Sequence, residues 1–503
     1  MKPSIVNVSA SNKFEGCILA YGHFNTIHPG HIRYLQNAKA QGENLVVALL
    51  PDQSIGKDNI YQFSQQERAE SLAMIELIDG IVLLKNEKNY LMNAIKKINP
   101  KALVLGKEFE GSKDKEIIDS ILFLRSQGKP VKFHAGDIIY ESTELLNSSE
   151  RDLIRKRREQ FEAACKRQKI SLEDLLASMK SWEDTRLIVL GDTIVDQYLA
   201  CEAIGMSAEA PVVVVKELKN RNFIGGAAIV ASHIRALGAK CDFLSVVGQD
   251  SISEIVREEL LMRDIGSNLI IDKSRPTTLK KRYVVGNQKL FRVSRLEDHN
   301  VDKEIENQII ERLEKVAPLA RGIVISDFVY GVVTEKIIET VYSLSEQYGI
   351  LLFGDLQCSS QIGSITKFKN FSLLCPNERE ARLALLDKDS GLELLSNKLI
   401  LETNCKRLIM KLGSNGFIAY DRSVGLNSIS SQSFPALSVN PVDVAGAGDS
   451  LLAIMATGLS SNQSMMLTAA LGCCMTSLAV EMMGNTPIET SQLKASIKLN
   501  LSE

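Results

Sequence analysis

The sequence carries almost no net charge, few histidines and no paired-cysteine motif. A formal net charge of -2 over 503 residues gives no electrostatic footing for nucleic acid or an anionic membrane, and points to small-molecule partners. The nine cysteines are scattered and odd in number, with no Cys-x-x-Cys pair. That excludes a disulfide scaffold and fits a reducing, cytoplasmic compartment. The opening MKPSIVNVSASNKFEG lacks a basic-then-apolar leader, so secretion is not expected. No uninterrupted apolar run of membrane length occurs either. The nearest, SMMLTAALGCCMTSLAVEMMG from Ser464, is broken by Ser, Thr and Gly and closed by Glu481, and reads as a buried core helix.

What is present is the composition of an ordinary globular protein, with 45% hydrophobic and 24% charged residues. The length favours two domains or more. From Gly16 to about Ser142, short apolar runs (CILAYG, NLVVALLPD, GIVLL, ALVLG) alternate with helical stretches (HIRYLQNAKAQG, QERAESLAMIELI, YLMNAIKKI). That order implies a parallel sheet with helices on its faces. Residues 148–169 are dense in mixed charge and read as an exposed helical linker. Glu150, Asp152, Glu159 and Glu162 interleave the positives and argue against a basic nucleic-acid patch. A second α/β series begins at RLIVLGD. Within it TTLKKRYVVGNQKLFRVS alternates, with Gly286-Asn287 as a hairpin turn, and reads as a small inserted β-lid. The expected division is 1–146, a linker at 147–170, and 171–503.

Three of the six histidines lie in GHFNTIHPGH, residues 22–31. This loop should join the carboxyl end of the first buried strand to the amino end of a helix starting near Pro29 or His31, where open α/β sheets hold ligands. Helix N-H groups and the positive dipole end favour an anion there, and imidazoles add donors for charge developing on phosphate. Gly22 and Gly30 let the backbone approach the ligand. A lone histidine in that place would be a cap or a surface residue; zinc is a further alternative, though no nearby Cys or helix-spaced Glu supports it.

The second chemical segment is VDVAGAGDSLLAIMATGL. Gly446, Ala447 and Gly448 can turn successive N-H groups toward an anion, and Asp449 stands at the helix start. There it is either a simple N-cap or a base that takes a proton from a hydroxyl while the turn holds a phosphoryl group.

GHFNTIHPGHIRYL resembles the signature of the cytidylyltransferase-like nucleotidyltransferases. The resemblance implies that His28 and His31 stabilise substitution at the α-phosphate of a nucleoside triphosphate, ATP or CTP, with Mg2+. It implies nucleotide contacts from Gly22, Phe24, Gly30, from Lys57 in a basic loop, and from Ser142 and Thr143 of YESTELL. Asn25 and Glu144 depart from the pattern. GGAAIVASHIRALGA and DVAGAGDS resemble the two signatures of ribokinase-type (PfkB) sugar kinases. In that family Asp449 would be the base and residues 446 to 448 its anion hole. Asp192, Asp196, Gly225 and Gly226 would lie by the sugar, and Asn377, Glu380, Gly413 and Gly416 by ATP and Mg2+.

The kinase half further resembles the bifunctional heptose-phosphate kinase/adenylyltransferases of lipopolysaccharide precursor synthesis, in reversed domain order. Lys280, Arg282, Gln288 and Arg292 fall on the lid pattern for a phosphorylated sugar. Ile229 replaces an Asn, Gln357 the Lys of Asp-Pro-Lys, Ser294 an Asp and Lys411 a Thr.

The expected fold is therefore two different α/β domains, a Rossmann-like nucleotidyltransferase and a ribokinase-like kinase with a β-lid. The expected function is phosphorylation of a sugar phosphate at its anomeric hydroxyl, and nucleotidyl transfer to a sugar 1-phosphate. The alternative is a nucleotidyltransferase, glycerol-phosphate-type included, whose kinase-like half binds sugar without turning it over. The composition leaves room for a homodimer and no role for nucleic acid or membrane.

Overall fold

The computed structural model describes residues 3–24, 27, 29–52, 63–106, 109, 112, 114–134, 150–209, 212–286, 288–357, 363–422 and 429–501. The chain divides into two compact units: residues 1–144 with 386–398, and residues 145–385 with 399–503.

The first unit is built on strands β1 (Ser4–Asn7), β2 (Ile18–Gly22), β3 (Leu45–Leu49), β4 (Gly80–Leu83), β5 (Ala102–Gly106) and β6 (Val131–His134). They form one sheet in the order β1-β4-β3-β2-β5-β6, parallel throughout. Period-two alternation divides the strand side chains between two cores. Leu19, Tyr21, Val46 and Ala48 pack with Leu91, Ile95 and Leu124 of helices Tyr90–Ile98 and Lys115–Ser126 on one face. Ile18, Ala20, Leu45 and Val47 pack with Leu35, Ala38 and Leu72 of helices Pro29–Lys39 and Gln65–Leu72 on the other. After β2 the chain moves one way, to β3 and β4, and then returns to place β5 on the other side of β2. The strand order reverses at β2, so its carboxyl end is the crevice where such sheets bind ligands.

The second unit has a nine-stranded sheet and a four-stranded one. Its strands are β7 (Arg186–Gly191), β8 (Thr193–Met206), β9 (Val213–Gly226), β10 (Lys240–Val247), β11 (Gly266–Ile271), β12 (Thr278–Val285), β13 (Gln288–Arg295), β14 (Gly322–Asp327), β15 (Leu351–Leu356), β16 (Leu373–Leu374), β17 (Arg407–Lys411), β18 (Phe417–Asp421) and β19 (Ser430–Phe434). The large sheet runs β11-β10-β7-β14-β15-β16-β17-β18-β19, parallel as far as β17 and antiparallel beyond. The smaller one, β13-β12-β8-β9, is the lid. The hairpin β12–β13 is where the alternation predicts it, although Asn287 lies outside the described residues. The lid is larger than that hairpin, because the 14-residue strands β8 and β9 complete it.

The charged segment expected as a solvated linker is the helix Glu150–Arg167, and it is not solvated all round. Phe161, Ala164 and Cys165 are buried with Trp182 in the core of the second unit. Three small or apolar residues on one stripe suffice to dock a helix whose other faces are charged. The apolar segment from Ser464 is the buried helix Met465–Val480. Among the described residues no helix is long and apolar enough to cross a membrane.

Candidate active sites

The histidine loop leaves β2 at Gly22 and enters the helix Pro29–Lys39, whose first turn holds Gly30 and His31. A Cβ on Gly22 would stand 2.9 Å from Phe24 Cε2, so the strand end must be glycine for Phe24 to fold back over it. Phe24 takes a left-handed φ of 48° and is buried. Its ring lies 4.9 Å from the His31 ring, so Phe24 sets the floor under His31. Tyr34, one turn on, accepts from Tyr21 N-H at 3.0 Å and donates to Val104 O at 2.7 Å, which locks the helix start over β2 and β5. His28, Asn25, Lys57, Ser142, Thr143 and Glu144 lie outside the described residues.

Sequence reasoning missed Arg68, although it sits in the QQERAESL segment. Its side chain is 1% exposed. The guanidinium donates to His23 O, to Leu50 O at 3.0 Å and Asp52 Oδ1 at 2.9 Å, and to Phe63 O at 3.2 Å. One planar fork thus fixes the chain leaving β2 and the chain leaving β3, as only Arg can with five donors. The signal was a charged residue among the buried positions of a short amphipathic helix.

In the second unit the GAGD turn opens the helix Ala447–Ser460. Gly446 is its N-cap at φ 79°, and a Cβ there would stand 2.4 Å from Asn485 Oδ1. Both observations require glycine. Ala447 N-H reaches back to Val444 O at 3.5 Å, and the N-H groups of a helix's first turn are those that suit an anion. Asp449 is 5% exposed and accepts from Gln357 Nε2 at 3.0 Å. Burial and then Asp355 push its carboxyl up to about 7, with Lys411 and Lys280 pulling the other way. A carboxyl so placed titrates where a general base works best.

The residues expected at the sugar gather beside it. Asp192 Oδ2 accepts from Phe328 N-H at 2.7 Å, while Asp192 Oδ1 is buried without a hydrogen-bond partner among the described residues. Burial first, then Asp327, raises this carboxyl to about 7. Asp196 receives Arg282 of the lid at 2.6 Å on Oδ1 and Asn485 Nδ2 at 3.0 Å on Oδ2. A Cβ on Gly225 would meet Asp196 Oδ2 at 2.7 Å, and one on Gly226, at φ 60°, would meet Asp192 O at 2.3 Å. Lys280 is buried over the rings of Phe328 and Tyr330, at 5.0 and 5.3 Å.

Gln288 and Arg292 stand on β13, exposed like the rest of that strand, and Arg292 lies opposite Arg282 in the β12–β13 register. Lys289, beside Gln288, bonds Asp443 Oδ1 at 2.6 Å. Asp443 also accepts from Tyr198 OH and from Ala445 N-H at 3.0 Å.

Of the residues expected at the nucleotide, Asn377 and Glu380 bond one another reciprocally, each backbone N-H to the other's side chain at 2.8 Å. Gly413 and Gly416 hold left-handed φ values of 61° and 83°. Of the departures from the family pattern, Ile229 is fully buried in the helix Ala227–Ala236 and Ser294 is exposed on the lid. Gln357 and Lys411 lie in the site itself. Asn485 was missed, because the segment EMMGNTPI reads only as a helix end followed by a turn.

The sequence pattern of pfkB family carbohydrate kinases matches residues 184–491, and a cytidylyltransferase-like pattern matches residues 19–276. Similar curated proteins include the Bifunctional protein HldE of Desulfatibacillum aliphaticivorans, 26% identical over 62% of this chain and 63% of the relative. That of Helicobacter hepaticus is 32% identical over 55% and 56%. The chain thus spans less than two thirds of the length of these relatives. Among solved structures, Escherichia coli phosphofructokinase-2 in complex with substrates and products shares the fold at a TM-score of 0.53 and 17% identity, covering 63% of this chain and 99% of that one. The same enzyme in complex with fructose-6-phosphate gives 0.52 and 17%, with the same coverage. On the extent of these matches the chain belongs to the pfkB family of carbohydrate kinases, with a cytidylyltransferase-like region at its amino-terminal end.

Proposed function

We propose that the protein is a bifunctional enzyme that makes a nucleotide-activated sugar. The kinase domain, residues 171–503, would phosphorylate a heptose-like sugar phosphate at its anomeric hydroxyl. The nucleotidyltransferase domain, residues 1–146, would join a sugar 1-phosphate to a nucleotide. The observation that carries the kinase reading is Asp449, buried at the first turn of its helix, held by Gln357, and raised to about 7. In the reaction the sugar oxygen bonds the γ-phosphorus of ATP, ADP departs with the electron pair of the broken P-O bond, and Asp449 takes the hydroxyl proton. Asp192 and Asp196 would orient hydroxyls, and Lys280 and Arg282 would meet the sugar's own phosphate.

In the other half an oxygen of the sugar 1-phosphate would attack the α-phosphorus of ATP or CTP and expel pyrophosphate. His28 and His31 would stabilise the charge at that centre, with Gly22 and Gly30 leaving room for the triphosphate. Mg2+ would arrive with the nucleotide, since it keeps waters and binds through one or two carboxylates plus phosphates; Glu380 is the carboxylate at that end of the kinase site. Exposed Ile204, Met206, Val213 and Leu218 at the far ends of β8 and β9 support self-association as a homodimer.

The test is two assays on the full chain: ADP formation across a panel of sugar phosphates, and pyrophosphate release with each nucleoside triphosphate against several sugar 1-phosphates. Turnover in both supports the reading. A chain that releases pyrophosphate but makes no ADP with any sugar is a nucleotidyltransferase with a sugar-binding partner domain.

A further inference from the structure

Lys411 ends β17, where its N-H bonds Pro376 O at 2.9 Å and its residue bridges Asn377. Its ammonium crosses to β15 and binds both oxygens of the fully buried Asp355, at 2.9 and 2.8 Å. A Cβ on Gly448 would stand 3.3 Å from Lys411 Nζ and 3.8 Å from Asp355 Oδ2. The ammonium therefore lies against the first turn of the helix Ala447–Ser460, inside the anion hole.

As a purely structural device this arrangement is poor. The positive end of a helix dipole opposes a cation placed there. A buried ion pair contributes little against a well-packed apolar pair of the same volume. An ammonium has three N-H donors, and Asp355 is its only hydrogen-bond partner among the described residues. The side chain is mostly buried, with 14% exposed. The helix start and the ammonium thus converge on one small glycine-lined space, with Asp355 the anion that pairs the cation there.

We infer that Lys411 binds the phosphoryl group in transfer, its ammonium on an equatorial oxygen while the 446–448 turn supplies N-H donors and Asp449 takes the sugar proton. This rests on the kinase reading above. Lys411 neither gains nor loses a proton in the step; it neutralises charge, and Asp355 holds it in place between turnovers. Gln357 and Lys411, two of the departures from the family pattern, then form one rearrangement. A neutral amide holds the base from the end of β15, and the cation comes from β17.

The experiment uses the full chain with Mg2+ and two variants. Lys411→Met removes the cation. Asp355→Asn/Lys411→Met removes both charges, so that no unpaired carboxylate is left buried to unfold the protein. ADP formation should fall by about 10²–10³-fold in both, as for loss of an oxyanion donor, while the sugar KM stays within about threefold. By titration calorimetry, any preference for the non-hydrolysable analogue AMP-PNP over ADP should disappear, because only the analogue carries a γ-phosphoryl group. A double variant that melts like wild type and keeps its turnover and AMP-PNP affinity overturns the inference. So does an equal loss of ADP and AMP-PNP affinity. If wild type turns over no sugar, the kinase reading falls, and the AMP-PNP against ADP comparison still decides whether Lys411 contacts the phosphoryl group.

Discussion

The histidine loop and the GAGD turn are held in place by opposite means. The histidine loop is pinned through the main chain: Arg68 bonds the carbonyls of His23, Leu50 and Phe63, and Tyr34 bridges β2 and β5. The GAGD turn is surrounded by side chains of both signs, with Asp355, Asp196 and Asp443 answered by Lys411, Arg282 and Lys289. A site held by backbone carbonyls stays put whatever charge its ligand brings. A site held by ion pairs can exchange partners when an anion enters, and its titration behaviour belongs to the whole cluster.

Two turns built so differently should be separable by single substitutions. Asp449→Asn should lower ADP formation by about 10²–10⁴-fold, the range for loss of a general base, and leave pyrophosphate release unchanged. His31→Ala should do the reverse, lowering pyrophosphate release by about 10²–10³-fold. A single substitution that abolishes both reactions would mean that the two units share machinery.

Arg68→Met comes next in size. It leaves three carbonyl acceptors without their donor, the one of Leu50 buried, for a loss of about 1–3 kcal/mol in the denaturant unfolding of the first unit. Pyrophosphate release should fall with it, while ADP formation continues. If stability is unchanged, the carbonyls have found other donors and Arg68 is not what holds the loop.

How much of each site can be read from the sequence follows the same division. The histidine loop is local. Gly22, Gly30 and His31 lie within one turn of chain, and the strand before and helix after them are fixed by periodicity alone. The GAGD turn is equally local, and both its left-handed Gly446 and the place of Asp449 at the helix start follow from the residues quoted. The partners of Asp449 do not. Gln357 is 92 residues from Asp449, Lys411 is 56 from Asp355, and Asn485 is 289 from Asp196. No periodicity links such pairs; only the sheet order brings them together. For the same reason the bond from Lys289 to Asp443, 154 residues apart, is not legible in the sequence. The choice of strand face depends on how β12 pairs with β8, and nothing within the hairpin states it. The stripe that docks the helix Glu150–Arg167 is visible in retrospect as Phe161, Ala164 and Cys165, but the charge on its other faces outweighed it.

The ion-pair character of the second site predicts a pH signature for ADP formation. With Asp449 raised to about 7, kcat for ADP formation should rise with pH through that region, because the base must be ionised to accept the hydroxyl proton. Asp355 raises Asp449 and Lys411 lowers it. Asp355→Asn removes the first influence and leaves the second, so the acid limb should move to lower pH. A limb that stays in place, measured on the full pH profile, would mean that burial alone sets the carboxyl.

The mildest substitution concerns Asn485, and it tests whether the sugar side and the phosphoryl side are joined. Its amide donates to Asp196 at 3.0 Å, and its carbonyl oxygen lies 2.4 Å from where a Gly446 Cβ would be. That oxygen is buried without a hydrogen-bond partner among the described residues, so it is available to a sugar hydroxyl. Ile229, where the resemblance leads one to expect an Asn, is fully buried and has no polar atom to offer a sugar. Asn485 is thus a neutral amide that touches both Asp196 and the GAGD turn. Asn485→Leu keeps the volume and removes both polar atoms, leaving Asp196 to Arg282 alone. The sugar KM should rise about tenfold, the worth of one hydrogen bond of ~1.4 kcal/mol, with the ATP KM unmoved. Should both KM values stay where they are while kcat falls, Asn485 serves the anion turn and not the sugar, and no amide there stands in for the one that Ile229 does not supply.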